Sequence, residues 1–255
     1  MAAELHSPGF ITPDWPAPAN VHALSTLRTG GYSSGPYNSF NLATHTGDDA
    51  VAVLSNRALL RQHFSLPAEP IWLQQVHSNR IISANPDNIG DEADGSWTDH
   101  AGRVCVVMTA DCLPVLICNQ QGSRVAAAHA GWRGLHAGVI TNAIRRLESD
   151  PSELMVWLGP AIGPQTFEVG AEVLRAFTDR NRENTPAFRQ TDDQHWLCDL
   201  YQLARIELSS QGVTSVFGGK ECTYTDEQRF YSYRRDGDTG RMASLIWLGE
   251  QDTGK

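Results

Sequence analysis

No Cys-x-x-Cys pair occurs in this 255-residue chain, and its five cysteines, at 105, 112, 118, 198 and 222, are odd in number. A disulfide framework of the kind that staples small secreted domains is therefore not expected. A chain of this length buries roughly 70–75% of its unfolded surface, so its core needs neither disulfide nor metal. Positive charge is scarce: 20 Lys and Arg stand against 29 Asp and Glu, a net charge of −9. A sequence-independent grip on DNA or RNA needs the opposite field, which argues against nucleic acid as the ligand and leaves room for a small anionic substrate. No apolar run approaches the ~20 residues of a membrane span. The opening Met1-Ala-Ala-Glu-Leu-His lacks the basic and apolar regions of a secretory signal. A reducing cytoplasm is the expected setting, with no membrane partner. Repeats, low-complexity tracts and long polar linkers are also missing. One domain over residues 1–255 is expected, with the Pro- and Ala-rich residues 1–20 as irregular chain.

What is there is ordinary globular material, 41% hydrophobic and 19% charged. Strands are expected at 21–27, 104–108, 113–118, 124–129, 154–158 and 213–217. Residues 71–77 also alternate like a strand, with Ile71, Leu73, Gln75 and His77 sharing one side. Asp48 or Asp49 caps a predicted helix over 50–63, with Val51, Leu54 and Ala58 along one face. A second helix over 135–147 carries the buried stripe Leu135, Val139, Ile140, Ala143, Ile144 and Leu147. Two more are expected at 170–177 and 199–210. The C-terminus reads as a hairpin, 230–234 against 242–248. The elements do not alternate strictly as βαβ, so the expected class is α+β, with mixed sheets covered by helices.

Three segments place reactive residues at strand ends beside small ones: Gln74-Gln-Val-His77-Ser78, Thr109-Ala-Asp111-Cys112-Leu-Pro114 and Ala128-His129-Ala-Gly131-Trp132-Arg133-Gly134. Strand ends along one sheet edge can converge while the strands stay rigid. His77, Cys112 and His129 offer imidazole nitrogen and thiolate sulfur, the donors zinc prefers, and three protein ligands leave a fourth position for water. Asp111, beside Cys112, reads as an orienting group or a general base. The same atoms admit a metal-free reading in which Cys112 is a nucleophile and His129 its base. Each residue also has a plainer reading. A cysteine after an apolar run is often a small buried hydrophobe, and a strand-end histidine is often a hydrogen-bonded surface group. The spacing is too scattered for a local zinc signature.

Arg28, in a Gly-rich loop, Arg133, and Arg234, Arg235 and Arg241 near the C-terminal turn could each take an anion in bidentate fashion, or stand merely solvated. The segment 159–164 lacks the Gly-Lys-Ser/Thr ending of a P-loop. None of the nine histidines forms the His-x-His pair of a trinuclear copper cluster. An ordinary multicopper oxidase is disfavoured, although copper binds a His/Cys/His site more tightly than zinc does.

Jointly these segments resemble one family, the YfiH-type proteins, also called the laccase-domain or peptidoglycan-editing-factor family. The resemblance also runs through Ser25-Thr-Leu-Arg28-Thr-Gly-Gly, Asn41-Leu, Gly47-Asp-Asp, Asn56-Arg57, Ala93-Asp94-Gly-Ser-Trp-Thr98, Gly159-Pro-Ala-Ile-Gly163, Phe167-Glu-Val-Gly170, Glu221-Cys-Thr223, Tyr231-Ser-Tyr-Arg-Arg-Asp-Gly and Thr239-Gly-Arg241. Gly95 stands where many members have Ala. The resemblance implies a four-layer α/β/β/α fold, similar to that of the cytotoxic-necrotizing-factor type of toxin deamidase, and zinc on His77, Cys112 and His129. It implies an enzyme that phosphorolyses adenosine, inosine and S-methyl-5′-thioadenosine and deaminates adenosine, so its partners are a purine nucleoside and phosphate. Cys112, His129 and Asp111 are the expected catalytic residues. Arg28, Asn41, His77, Arg133 and Arg241 are the expected substrate contacts. The alternatives are an amidase removing L-Ser from UDP-MurNAc-L-Ser, a copper polyphenol oxidase, a metal-free Cys–His hydrolase and a non-catalytic scaffold.

Overall fold

A computed structural model describes residues 7–250. In chain order the first half comprises β1 (Phe10–Ile11), β2 (Val21–Thr26), α1 (Ala50–His63), β3 (Ile82–Ser83), β4 (Gly95–Thr98), β5 (Val104–Thr109), β6 (Leu113–Asn119) and β7 (Val125–Ala130). The second half comprises α2 (Trp132–Ala137), α3 (Val139–Leu147), β8 (Leu154–Leu158), β9 (Glu168–Gly170), α4 (Ala171–Thr178), β10 (Phe188–Gln190), β11 (His195–Cys198), α5 (Leu200–Ser210), β12 (Ser215–Gly218), α6 (Tyr233–Asp236) and β13 (Met242–Leu248). No helix among the described residues is long and apolar enough to cross a membrane.

Two sheets stack face to face between helices. One runs β1-β2-β13-β5 and is antiparallel; the other runs β12-β8-β6-β7-β4-β3 and is mixed, with parallel pairs at both edges. The period-2 rule for strands sorts their side chains into layers. In β6, Leu113, Val115 and Ile117 join Ile140, Ala143 and Ile144 of α3 and Leu203 and Ala204 of α5 in one core. Leu116 and Cys118 point the other way and meet Cys105, Val107 and Ile246 of the facing sheet. That sheet's outer side, with Val106, Leu245 and Trp247, packs on Phe40, Leu42 and Leu60. The order is helix, sheet, sheet, helix, the expected α+β class with mixed sheets in four layers. A small sheet β10-β11-β9, not foreseen from periodicity, flanks the helical side.

Several elements depart from expectation for identifiable reasons. Helix α1 is capped by Asp49, whose side chain accepts the Ala52 N–H, but it turns Val53, Asn56 and Leu60 inward. Val51 and Leu54 stay 71% and 60% exposed. Asn56 sets this rotation. Its amide takes the Tyr32 N–H and donates to Ser33 Oγ and the Asn41 carbonyl, at 2.8–2.9 Å, so a polar anchor overrides the apolar stripe. Leu60→Ala is expected to cost ~2–5 kcal/mol, and Leu54→Lys within about 0.5 kcal/mol of zero, by denaturant unfolding. The C-terminal hairpin does not form. Residues 233–236 are the helix α6, capped by Ser232, while β13 lies between β2 and β5. Residues 71–77 make isolated bridges only, Ile71 to Cys105 and Gln74 to Glu92. The Gln75 side chain replaces a backbone partner there, bonding both the N–H and the carbonyl of Met108. The helix expected over 135–147 breaks at Gly138 (φ +84°) into α2 and α3, with its whole stripe buried. Within 1–20, Phe10–Ile11 pairs with β2; residues 1–6 lie outside the described residues.

Candidate active site and metal centre

The chain crosses from one stacked sheet to the other between β5 and β6, and Ala110-Asp111-Cys112 makes that corner. Asp111 takes φ +93°, a conformation that a non-glycine residue adopts only when its surroundings impose it. They do so here. Its carboxylate accepts the Thr223 hydroxyl at 2.6 Å and the Arg234 N–H at 2.7 Å, and its carbonyl accepts the Ile162 N–H at 2.9 Å. Cys112 is thereby turned toward His129 on β7 and toward His77, which ends the 71–77 segment in a left-handed conformation (φ +60°).

His129 shares strand parity with Val125 and Ala127, so its ring faces the space between the sheets, at their open edge. The His77 and His129 rings sit edge to face, 4.9 Å between centroids. Cys112 Sγ is 3.9 Å from His77 Nε2, and one donor atom from each of the three residues lies within 4.8 Å of the others. Neighbouring nitrogen and sulfur ligands of a tetrahedral zinc stand roughly 3.3–3.8 Å apart, so the set fits with a slight closing. Gly131 leaves the room. A Cβ there would meet Cys112 Sγ at 2.7 Å and His77 Cδ2 at 3.2 Å. Among the described residues this is the group of three or more His, Cys, Asp or Glu able to hold an ion.

Charge is arranged around it. Burial alone would push the Cys112 thiol up, but His129 and then His77 more than reverse this, and its pKa falls well below the usual thiol range. Burial likewise opposes charge on His129, yet the facing thiolate and the Asp94 hydrogen bond hold its proton and raise its pKa. Asp94, wholly buried, would be raised by desolvation, but bonds from His129 and Ser78 bring it down instead. Cys105, Cys118 and Cys198 are pushed up by burial. In the metal-free protein at pH 7, iodoacetamide is therefore expected to modify Cys112 while those three stay unmodified. Peptide mass spectrometry reads this, and a Cys112 as inert as Cys118 would contradict the charge arrangement.

The donor set opens into a cleft of about 550 Å³. Of the expected substrate contacts, His77, Arg133 and Arg241 line it, and so do Asp111, Cys112 and His129. Arg28 does not. Its guanidinium bonds the carbonyls of Asn38 and Glu227 and stacks 4.8 Å above the Tyr231 ring. Asn41 is buried behind the wall, where its Oδ1 accepts the Arg241 N–H at 2.9 Å. Arg235 is occupied by Asp236 and three carbonyls, whereas Arg234 lines the cleft beside Phe167. The sequence alone marks out no role for His45, Gln75, Trp132, Phe167 or Tyr233, which also line the cleft, nor for Asp94 beneath it. Gln75, Trp132, Phe167, Tyr233 and Asp94 all lie within segments shared with the family; His45 carries no signal beyond being a histidine. Burial, then Arg241 and Arg57, lowers the His45 pKa.

Fold and site together define an α+β protein of two stacked sheets with a His/Cys/His centre at the corner where the chain changes sheets. Residues 22–249 match the family described as multi-copper polyphenol oxidoreductase laccase, and the chain belongs to this family, the YfiH-type proteins. It is 50% identical over 240 residues to a purine nucleoside phosphorylase of Pseudomonas aeruginosa, covering 94% of this chain and 98% of that one. It is 49% identical, with the same coverage, to purine nucleoside phosphorylase YfiH of Escherichia coli K12. A crystal structure of a Neisseria meningitidis protein superposes with a TM-score of 0.92 at 49% identity, over 95% of this chain and 100% of that chain. That of YlmD from Geobacillus stearothermophilus gives 0.90 at 30% identity, over 96% and 98%.

Proposed function

We propose that this protein is a zinc-dependent purine nucleoside phosphorylase acting on adenosine, inosine and S-methyl-5′-thioadenosine, with adenosine deaminase activity at the same centre. The observation that carries the reading is one cleft in which the His/Cys/His donor set shares its walls with Arg133, Arg234 and Arg241 and with the aromatic rings of Trp132, Phe167 and Tyr233. The names of the Pseudomonas and Escherichia relatives support it.

Phosphorolysis joins a phosphate oxygen to C1′ of the ribose, breaks the C1′–N9 bond and leaves the purine with a proton. The guanidinium groups supply forked donors for the phosphate. Arg241 is held for this by its own N–H on Asn41 and by Nη1 on the carbonyls of Thr239 and Gly240. The aromatic rings offer faces to the purine. His45, neutral at pH 7, is the cleft imidazole free to relay a proton from phosphate to the departing base. Asp111, with its oxygens engaged by Thr223 and Arg234, orients the Cys112 corner. His77, Cys112 and His129 would hold the zinc, which when bound would supply a Lewis acid.

The test is mass-spectrometric product analysis of adenosine incubated with protein of assayed zinc and copper content, with and without phosphate. Adenine and ribose 1-phosphate are expected only with phosphate, and inosine in both. Unchanged adenosine on zinc-loaded protein would overturn the purine reading and make UDP-MurNAc-L-Ser the next substrate. Arg241→Ala is expected to raise the KM for phosphate about 10–100-fold, the worth of a charge-assisted hydrogen bond of ~1.5–3 kcal/mol. Arg28→Ala should leave that KM near the wild-type value.

A further inference from the structure

We propose that Asp94 is the positioning residue of the metal centre: one buried carboxylate sets both histidines, His77 through its backbone and His129 through its ring. The inference rests on the metal reading of His77, Cys112 and His129. Asp94 immediately precedes β4 and is wholly buried. Its Oδ1 accepts the His77 N–H at 2.9 Å and meets His129 Nδ1 at 2.8 Å. Its Oδ2 accepts the N–H groups of Val76 at 3.2 Å and Ser78 at 2.6 Å, and the Ser78 hydroxyl at 2.7 Å. The Asp94 carbonyl also accepts the His129 N–H at 2.7 Å.

Two consequences follow from elementary hydrogen-bond chemistry. An ionised carboxylate only accepts, so the His129 ring must keep its Nδ1 proton, and Nε2 is the nitrogen that would give up its proton and offer its lone pair to a metal. Three successive N–H groups aimed at one anion form a concave nest, and this holds His77 at its left-handed φ of +60°. A neutral amide at position 94 would turn an NH₂ toward these donors or toward the ring. It would then either repel the 76–78 backbone or favour the His129 tautomer protonated at Nε2, which cannot bind a metal through that atom.

The experiment compares zinc dissociation constants, by competition with a chromophoric chelator, for wild type, Asp94→Asn and Asp192→Asn. Asp94→Asn is expected to bind zinc about 10–100-fold more weakly, the usual effect of removing a partner of a ligating histidine. Asp192→Asn makes the same change at a carboxylate that meets the ring of an exposed histidine outside the donor set, His195 at 2.9 Å, so its zinc affinity should match wild type. In zinc-loaded wild type, long-range ¹H–¹⁵N correlations should find His129 protonated at Nδ1 and metal-bonded at Nε2. This readout needs no variant to fold, and a merely structural Asp94 would not fix it. Equal zinc affinity for a folded Asp94→Asn, or a His129 bonded through Nδ1, overturns the proposal while the metal reading stands. A wild-type chain that takes up no zinc overturns the metal reading and this proposal together.

Discussion

Cys112→Ala is expected to weaken zinc binding by more than ~100-fold, beyond the range seen when only a partner of a ligand is lost, and to abolish both phosphorolysis and deamination. The thiolate is the one anionic donor of the three-residue set. Removing it leaves two neutral imidazoles, one buried and one exposed, and no anionic ligand for a divalent ion. The variant also separates two chemistries when paired with His77→Gln. A metal-free hydrolase would use the Cys112 thiolate and its close partner His129, and would tolerate loss of His77. A zinc centre would not, since His77 is one of its ligands. Zinc content and turnover of both variants decide the matter. Loss in Cys112→Ala with full activity in His77→Gln would favour the nucleophile, and full activity in both would sink the site assignment.

Gly131→Ala is expected to have the second largest effect, although it adds one methyl group. Gly131 sits at φ −66° and ψ 165°, where alanine is at ease, so the substitution strains no backbone. Its Cβ would instead stand 2.7 Å from Cys112 Sγ and 3.2 Å from His77 Cδ2. Sulfur and carbon do not approach so closely, so the Cys112 corner or the His77 ring must shift, and both are pinned. The Asp111 carboxylate is tied to Thr223 and Arg234, and the His77 N–H is tied to Asp94. A misplacement of about 1 Å at a reacting centre costs on the order of 10²-fold in rate. We expect that loss, with reduced zinc content, in a protein that still unfolds cooperatively. Wild-type turnover by Gly131→Ala would mean the chemistry lies elsewhere in the cleft.

The sequence by itself determined the local pieces. The apolar runs at 104–108, 113–118 and 154–158 became buried strands, the six-residue stripe from Leu135 to Leu147 became a buried face, and Asp49 capped α1. The donor types were legible too, because imidazole and thiolate at strand ends beside small residues form a pattern readable in a short window. What the tertiary structure decided is how those pieces meet. Val51 and Leu54 share one face of α1 yet stay exposed, because Asn56 takes its partners 15 to 24 residues upstream and turns that face outward. Arg28 looked free in its loop, yet a carbonyl 199 residues away claims it. Asp94 stood in a quoted motif without a role, since the groups that give it one lie 16 to 18 residues before it and 35 after. Periodicity and capping are consequences of covalent geometry within a few residues. The convergence of His77, Cys112 and His129 depends on the stacking of two sheets and on which carboxylate fills the space beneath them, relations that no local window contains.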